Sequence, residues 1–145
     1  MEKLVFNIDI KASKEEIWKV LWDDETYRKW TSSFCGESYV QTSWNEGDKI
    51  YFLGEGGEGM NSIIETKIPN EYMAFKHMGE IKDFKEVPPN EETLKWVGAM
   101  ETYKLIQKGD LVDLHVEVDV IDKHIDFFKE AFPKGMETIK ELSEN

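Results

Sequence analysis

The sequence predicts an α+β domain in which a curved antiparallel sheet closes over one long C-terminal helix and encloses an apolar pocket. Three features predict it. Apolar residues alternate near the N-terminus, turn-forming residues recur between Asn45 and Gly109 and divide the middle of the chain into strands, and an apolar stripe with steps of three and four runs from Ile125 to Leu142.

Leu4, Phe6, Ile8 and Ile10 alternate with Lys3, Asn7, Asp9 and Lys11, so residues 3–11 read as a strand with one buried face. Two short helices are expected next. Ser13 with Glu16 has the spacing of a capping box and Ala12 with Ile17 that of a hydrophobic staple, which starts a helix carrying Ile17, Trp18, Val20 and Leu21. A second helix spans Glu25 to Thr31 with Tyr27 and Trp30 turned inward. Turns at Asn45 to Asp48, Gly54 to Gly59, Pro69 with Asn70, and Lys108 with Gly109 imply hairpins. The interval from Gly79 to Glu92, with Pro88, Pro89 and Asn90, reads as a long loop over one end of the sheet. In the last segment Ile125, Phe128, Phe132, Met136, Ile139 and Leu142 make one helix face, which Pro133 should kink and Gly135 loosen.

A chain of 145 residues has room for one core, and neither repeat nor linker divides it, so a single domain over residues 1–145 is expected. The 40% apolar content, with five Trp, five Tyr and eight Phe, is enough for a dense core or a cavity wall despite 33% charged residues. A net charge of −12 repels phosphate backbones and anionic headgroups, which makes nucleic acid and membrane poor partners. Cys35 is the sole cysteine, so no intrachain disulfide can form, and it reads as a small buried apolar residue in a reducing compartment. Residues 1–9 alternate instead of forming a signal-peptide core, and a cytoplasmic location follows.

Register is the most informative inference. A hairpin around Lys108 and Gly109 sets Leu105 against Val112, Tyr103 against Leu114, Glu101 against Val116 and Ala99 against Val118, which makes one face almost wholly apolar. A one-residue shift mixes polar and apolar groups on both faces. The preferred register leaves Glu101 as the single charge on the concave side. Around Pro69 and Asn70 the same reasoning opposes Thr66 to Met73, Ile64 to Phe75 and Ser62 to His77, so His77 shares the interior with Glu101. A carboxylate among apolar walls requires a partner, and an inward His or a Tyr hydroxyl would serve. Such a pair is either structural or ligand-orienting.

The helix with Ile17 and Trp18, the following Trp30, the run His77 to Glu80, the stretch Trp96 to Tyr103 and the closing Phe132, Pro133 and Lys134 together resemble the activator-of-heat-shock-protein-90-ATPase homologue family. That family lies within the START-like (SRPBCC) superfamily that includes the birch pollen allergen fold. The resemblance implies a helix-grip fold with a cavity between sheet and C-terminal helix, and relatives that bind hydrophobic small molecules or, among eukaryotic activators, a chaperone.

Other motifs carry less. Gly54, Gly56 and Gly59 fit GxGxxG, yet a strand and not a helix follows, and Glu55 and Glu58 repel phosphate, so a hairpin loop is expected. His77, His115 and His124 lack zinc spacing, and His115 falls on the outer face beside Asp113, Glu117 and Asp119. No nucleophile with a base and an orienting group can be assembled, and neither a metal nor another cofactor is implied. Trp22, Trp44 and Trp96 cannot all be interior; two together at the surface would mark a partner or homodimer face.

These readings converge on a binding domain for a small hydrophobic or amphipathic molecule. Its pocket is expected to be enclosed by Phe6, Ile8, Phe75, Tyr103, Leu114, Val116, Phe128 and Phe132, with His77 and Glu101 as polar contacts. A cyclase-like or hydrolase-like enzyme using the pocket acid, and a chaperone-interaction module, are the alternatives. The chain is expected to be a monomer or weak homodimer.

Overall fold

A computed structural model describes residues 1–145. Strand β1 (Glu2–Ile10) leads into two short helices, α1 (Lys14–Trp22) and α2 (Asp24–Thr31). Strands β2 (Ser38–Gln41), β3 (Lys49–Gly54), β4 (Gly59–Ile68), β5 (Tyr72–Lys82) and β6 (Lys85–Glu86) follow. After the single turn α3 (Glu91–Leu94) come β7 (Met100–Lys108), β8 (Leu111–Val120) and the long helix α4 (Ile125–Glu144). The strands form one antiparallel sheet in the order β1-β8-β7-β5-β4-β3-β2, with β6 added on β5. The fold is the helix-grip, START-like α+β fold. No helix is long and apolar enough to cross a membrane.

Local chemistry sets the elements. Ser13 Oγ accepts the Glu16 amide at 3.1 Å and caps α1, an interaction that contributes about 1 kcal/mol to helices generally. The Trp30 indole donates to the Leu21 carbonyl at 3.1 Å and ties α2 to α1. Helix α4 continues through Pro133, whose ring lies on the exposed face. Gly135 does not loosen it: a Cβ there would come within 3.0 Å of the Trp30 carbonyl and 3.1 Å of Ser33 Oγ, so glycine lets α4 pack hard against α2. On the other flank Phe132 stacks on Phe6 of β1, ring centroids 4.9 Å apart.

The β7–β8 hairpin keeps the expected faces but not the expected partners. Glu101 opposes Val118, Tyr103 opposes Val116 and Leu105 opposes Leu114, a slip of two residues. The turn is Gly109 with Asp110, because Gly109 alone accepts the positive φ (62°) that the first position of a tight hairpin turn requires. Ala99 precedes the strand, and its carbonyl instead accepts the His77 amide at 2.9 Å. In the β4–β5 hairpin, Ile64 opposes Phe75 and Ser62 opposes His77 as expected, but an irregularity between Ile64 and Thr66 moves Thr66 opposite Ala74 and gives Met73 to Lys67.

Two further expectations are corrected. The span from Gly79 is not one long loop, since β5 continues to Lys82 and pairs with both β4 and β6. Glu86 of β6 is held by Lys49 Nζ at 2.8 Å, Asn61 Nδ2 at 2.9 Å and the Tyr51 hydroxyl, which fastens that return strand over β3 and β4. Cys35 is exposed, because it sits in the connection after α2, where its Sγ meets the Glu37 carbonyl at 2.9 Å. Between sheet and helices lies one cluster that includes Ile10, Ile17, Leu21, Trp22, Phe75, Tyr103, Leu114, Val116 and Ile139.

Candidate functional site

The inner face of β5, β7 and β8 runs from a packed end to a polar one. Moving along β7 from Leu105 through Tyr103 to Glu101, and along β5 from Met73 through Phe75 to His77, the side chains of alternate residues share the concave face because strand periodicity is two. Glu101 and His77 therefore arrive together from neighbouring strands. His77 Nε2 lies 3.1 Å from Glu101 Oε1, and the Tyr103 hydroxyl donates to Glu101 Oε2. His77 Nδ1 lies 2.6 Å from Ser62 Oγ on β4, and the imidazole and Phe52 rings meet at a steep 73°, centroids 5.8 Å apart.

One set of proton positions satisfies the whole chain. The Ser62 hydroxyl donates to His77 Nδ1, His77 Nε2–H donates to one carboxylate oxygen, and Tyr103 O–H donates to the other. Two donors meet on Glu101, His77 from β5 and Tyr103 from its own strand β7, and Ser62 of β4 fixes the imidazole behind them. The His77 and Glu101 side chains are 8% and 20% exposed, so Glu101 is the more open of the two. Burial, then the charge of Glu101, pushes the Tyr103 phenol far above its ordinary value of 10.0. Tyr27 of α2 is raised for the same two reasons, so both phenols remain donors near neutral pH.

Two cavities meet at this carboxylate. The first, of about 290 Å³, is bounded by His77, Trp96, Ala99, Met100, Val118, Val120 and the start of α4, with Glu80, Glu92, Asp119 and Lys123 around it. The second, of about 230 Å³, is aromatic: Tyr27, Trp30, Phe34, Phe52, Tyr103, Phe127 and Phe132 line it. Met60, Glu101 and Phe128 line both.

Of the residues expected to enclose a pocket, Glu101, His77, Tyr103, Phe128 and Phe132 do line one or both cavities. Phe6, Ile8, Phe75, Leu114 and Val116 line neither. Phe75 is 0% exposed with Trp22 and Tyr103 against it, Leu114 and Val116 are 0% exposed within the core cluster, and Phe6 is spent on its stack with Phe132. Phe34, Phe52, Met60 and Trp96 were not foreseen as lining residues. The alternation of Ile50 and Phe52 was the available signal for one of them, while Phe34 and Trp96 sit in connections whose direction no periodicity fixes. His115 lies on the outer face as expected, bonded to Asn7 at 2.8 Å and Glu117 at 2.8 Å. Trp22 and Trp44 do come together, ring centroids 5.6 Å apart, but Trp22 is only 8% exposed and belongs to the core.

No family model matches the chain, and no curated protein matches it significantly. Solved structures do. The chain is similar to Aha1 from Colwellia psychrerythraea, solved as a dimer, with a TM-score of 0.73 and 20% identity over 99% of this chain and 97% of that one. It is also similar to protein MLL2253 from Mesorhizobium loti, with a TM-score of 0.75 and 12% identity over 97% and 96% of the two chains. CalU16 from Micromonospora echinospora gives a TM-score of 0.67 and 12% identity over 97% of this chain and 65% of that one. At these identities the likeness is one of fold, and it includes an Aha1 protein, as the resemblance in the sequence implied.

Proposed function

We propose that the protein binds a small amphipathic molecule, its apolar part in the aromatic cavity and its polar end at Glu101. One observation carries this reading: Glu101, which lines both cavities, is fixed by His77 and Tyr103 while its side chain keeps 20% exposure. A side chain placed by neighbours at the junction of two hollows has the form of an orienting contact, since binding pockets combine apolar walls with a few fixed polar groups. The similar folds of Aha1 and CalU16 agree with this architecture without naming a ligand. Native mass spectrometry of the gently purified protein tests it. A copurifying small molecule, lost in Glu101→Gln, is the expected result; repeated absence of any adduct, with no binding from a panel of amphiphiles, would reject the reading.

An enzymatic reading rests on the hydrogen-bonded imidazole and carboxylate on the wall of one cavity, which could pass a proton to or from a bound molecule. Glu101→Gln separates the two readings. Turnover abolished with affinity retained favours catalysis, and altered ligand selectivity without turnover favours binding.

A further inference from the structure

Building on the binding reading above, we infer that the polar end of the ligand is a cation, an amine or ammonium group, and that the same pocket turns away fatty acids and other anionic amphiphiles. The first cavity carries four carboxylates, Glu80, Glu92, Glu101 and Asp119, against one ammonium, Lys123. Lys123 Nζ is bonded to Glu92, which Lys95 also meets at 3.5 Å, so that pair cancels and Glu80, Glu101 and Asp119 remain without a cation of their own lining the cavity. Asp119 is partly satisfied by the Met100 amide at 2.9 Å. Glu80 has only a distant contact with Lys82 at 3.9 Å. The field in the cavity is therefore negative, and low-dielectric walls on the aromatic side limit its screening.

The hydrogen-bond accounting points the same way. A carboxylate offers about four lone-pair sites, and His77 and Tyr103 occupy one on each oxygen of Glu101. What remains can only accept. A ligand end with N–H donors completes it, whereas a ligand carboxylate brings no donor and adds like charge. Trp96 lines the same cavity, and an indole adds a face that attracts cations. The aromatic cavity, reached past Met60 and Phe128, takes the hydrocarbon tail.

Titration of the whole protein at pH 7 with decylamine, decanol and decanoate, read calorimetrically, tests the inference. The amine is protonated and the acid ionised there. Decylamine should bind about tenfold or more tightly than decanoate, with decanol between them, as expected when one charge-assisted hydrogen bond is gained. Glu101→Gln should shrink the preference of amine over acid to about threefold or less. Should that variant fail to fold, Met60→Trp, which fills the junction of the cavities, should abolish decylamine binding. Decanoate binding as tightly as decylamine overturns the inference and leaves the binding reading standing. An amine preference that survives both substitutions also overturns it, because the amine is then on the acidic exterior. Binding of none of the three overturns the binding reading and the inference with it.

Discussion

The space between the sheet and α4 has a packed half and a hollow half. In the packed half Trp22 reaches in from α1 and meets Phe75 and Tyr103 edge-on at centroid distances of 5.3 and 5.0 Å. Ile10, Ile17, Leu21, Met73 and Leu114 around it are all 0% exposed. In the hollow half, on the far side of Tyr103, β5 and β7 present His77 and Glu101, with Ser62 of the neighbouring β4 and Ala99 just before β7. Both halves share one sheet and one helix, so curvature alone does not make the cavity. It lies where branched apolar side chains give way to short or polar ones, and each polar one is bonded to the next instead of being packed by hydrocarbon.

Removing the centre of each half gives the largest effects and the sharpest test of this contrast. Trp22→Ala should cost about 3–5 kcal/mol in urea unfolding, the range for emptying a filled aromatic site. The loss is softened only because the buried Trp22 Nε1 has no hydrogen-bond partner in the wild type. Glu101→Leu should cost about 2–3 kcal/mol, since it strands the Tyr103 hydroxyl and the His77 N–H while leaving the aromatic packing intact. The contrast fails if the two costs are reversed.

The same contrast explains how much could be read from sequence. Faces were legible because a slip of two residues, as in the β7–β8 hairpin, moves partners without moving any side chain to the other face. Glu101 and His77 are accordingly inward and joined, as alternation required. Partners were less legible: nothing in the residues around Glu65 marks the irregularity that turns Thr66 away from Met73. The extent of β5 was hidden because the short alternation Glu80, Ile81, Lys82 follows Gly79 and is paired to only a two-residue strand, β6. The cavity itself was least legible. Whether an inward Phe75 lines a hollow or disappears beneath Trp22 depends on how far a tryptophan from another element reaches, and strand periodicity says nothing about that.

A smaller effect concerns pH. Tyr103 and Tyr27 are 2% and 5% exposed, and both have phenols raised above 10.0 in the folded state, by burial first and Glu101 second. In the unfolded chain each ionises near pH 10. Below that value neither state ionises, and their contribution to stability is complete. Above it the unfolded state loses protons that the folded state keeps, so stability falls by about 1.4 kcal/mol per pH unit for each phenol. Tyr103→Phe should reduce the slope of stability against pH between pH 10 and 11 by about that amount. An unchanged slope would mean that the Tyr103 phenol is not shielded from solvent, and the packed half would then be less closed than described.

The smallest expected effect comes from the one pair that repeats the chemistry of the site on the opposite face. His115 and Glu117 lie 2.8 Å apart, closer than His77 and Glu101 at 3.1 Å. Distance is not what separates them. The outer side chains are 26% and 35% exposed, against 8% and 20% inside, so water competes for the outer bond and screens it. Glu117 is lowered below its ordinary value by His115 first and by Lys3 as well, and the Lys3 contact at 3.2 Å would persist without the imidazole. Asn7, the other partner of His115, keeps its two contacts to Asp113 at 3.1 and 3.2 Å. No polar group is stranded, and His115→Asn should therefore change unfolding free energy by less than about 0.5 kcal/mol and leave amphiphile binding unaltered. A loss above about 1.5 kcal/mol would show that the outer row acts as a connected structural network, and exposure would no longer account for the difference between the two histidines.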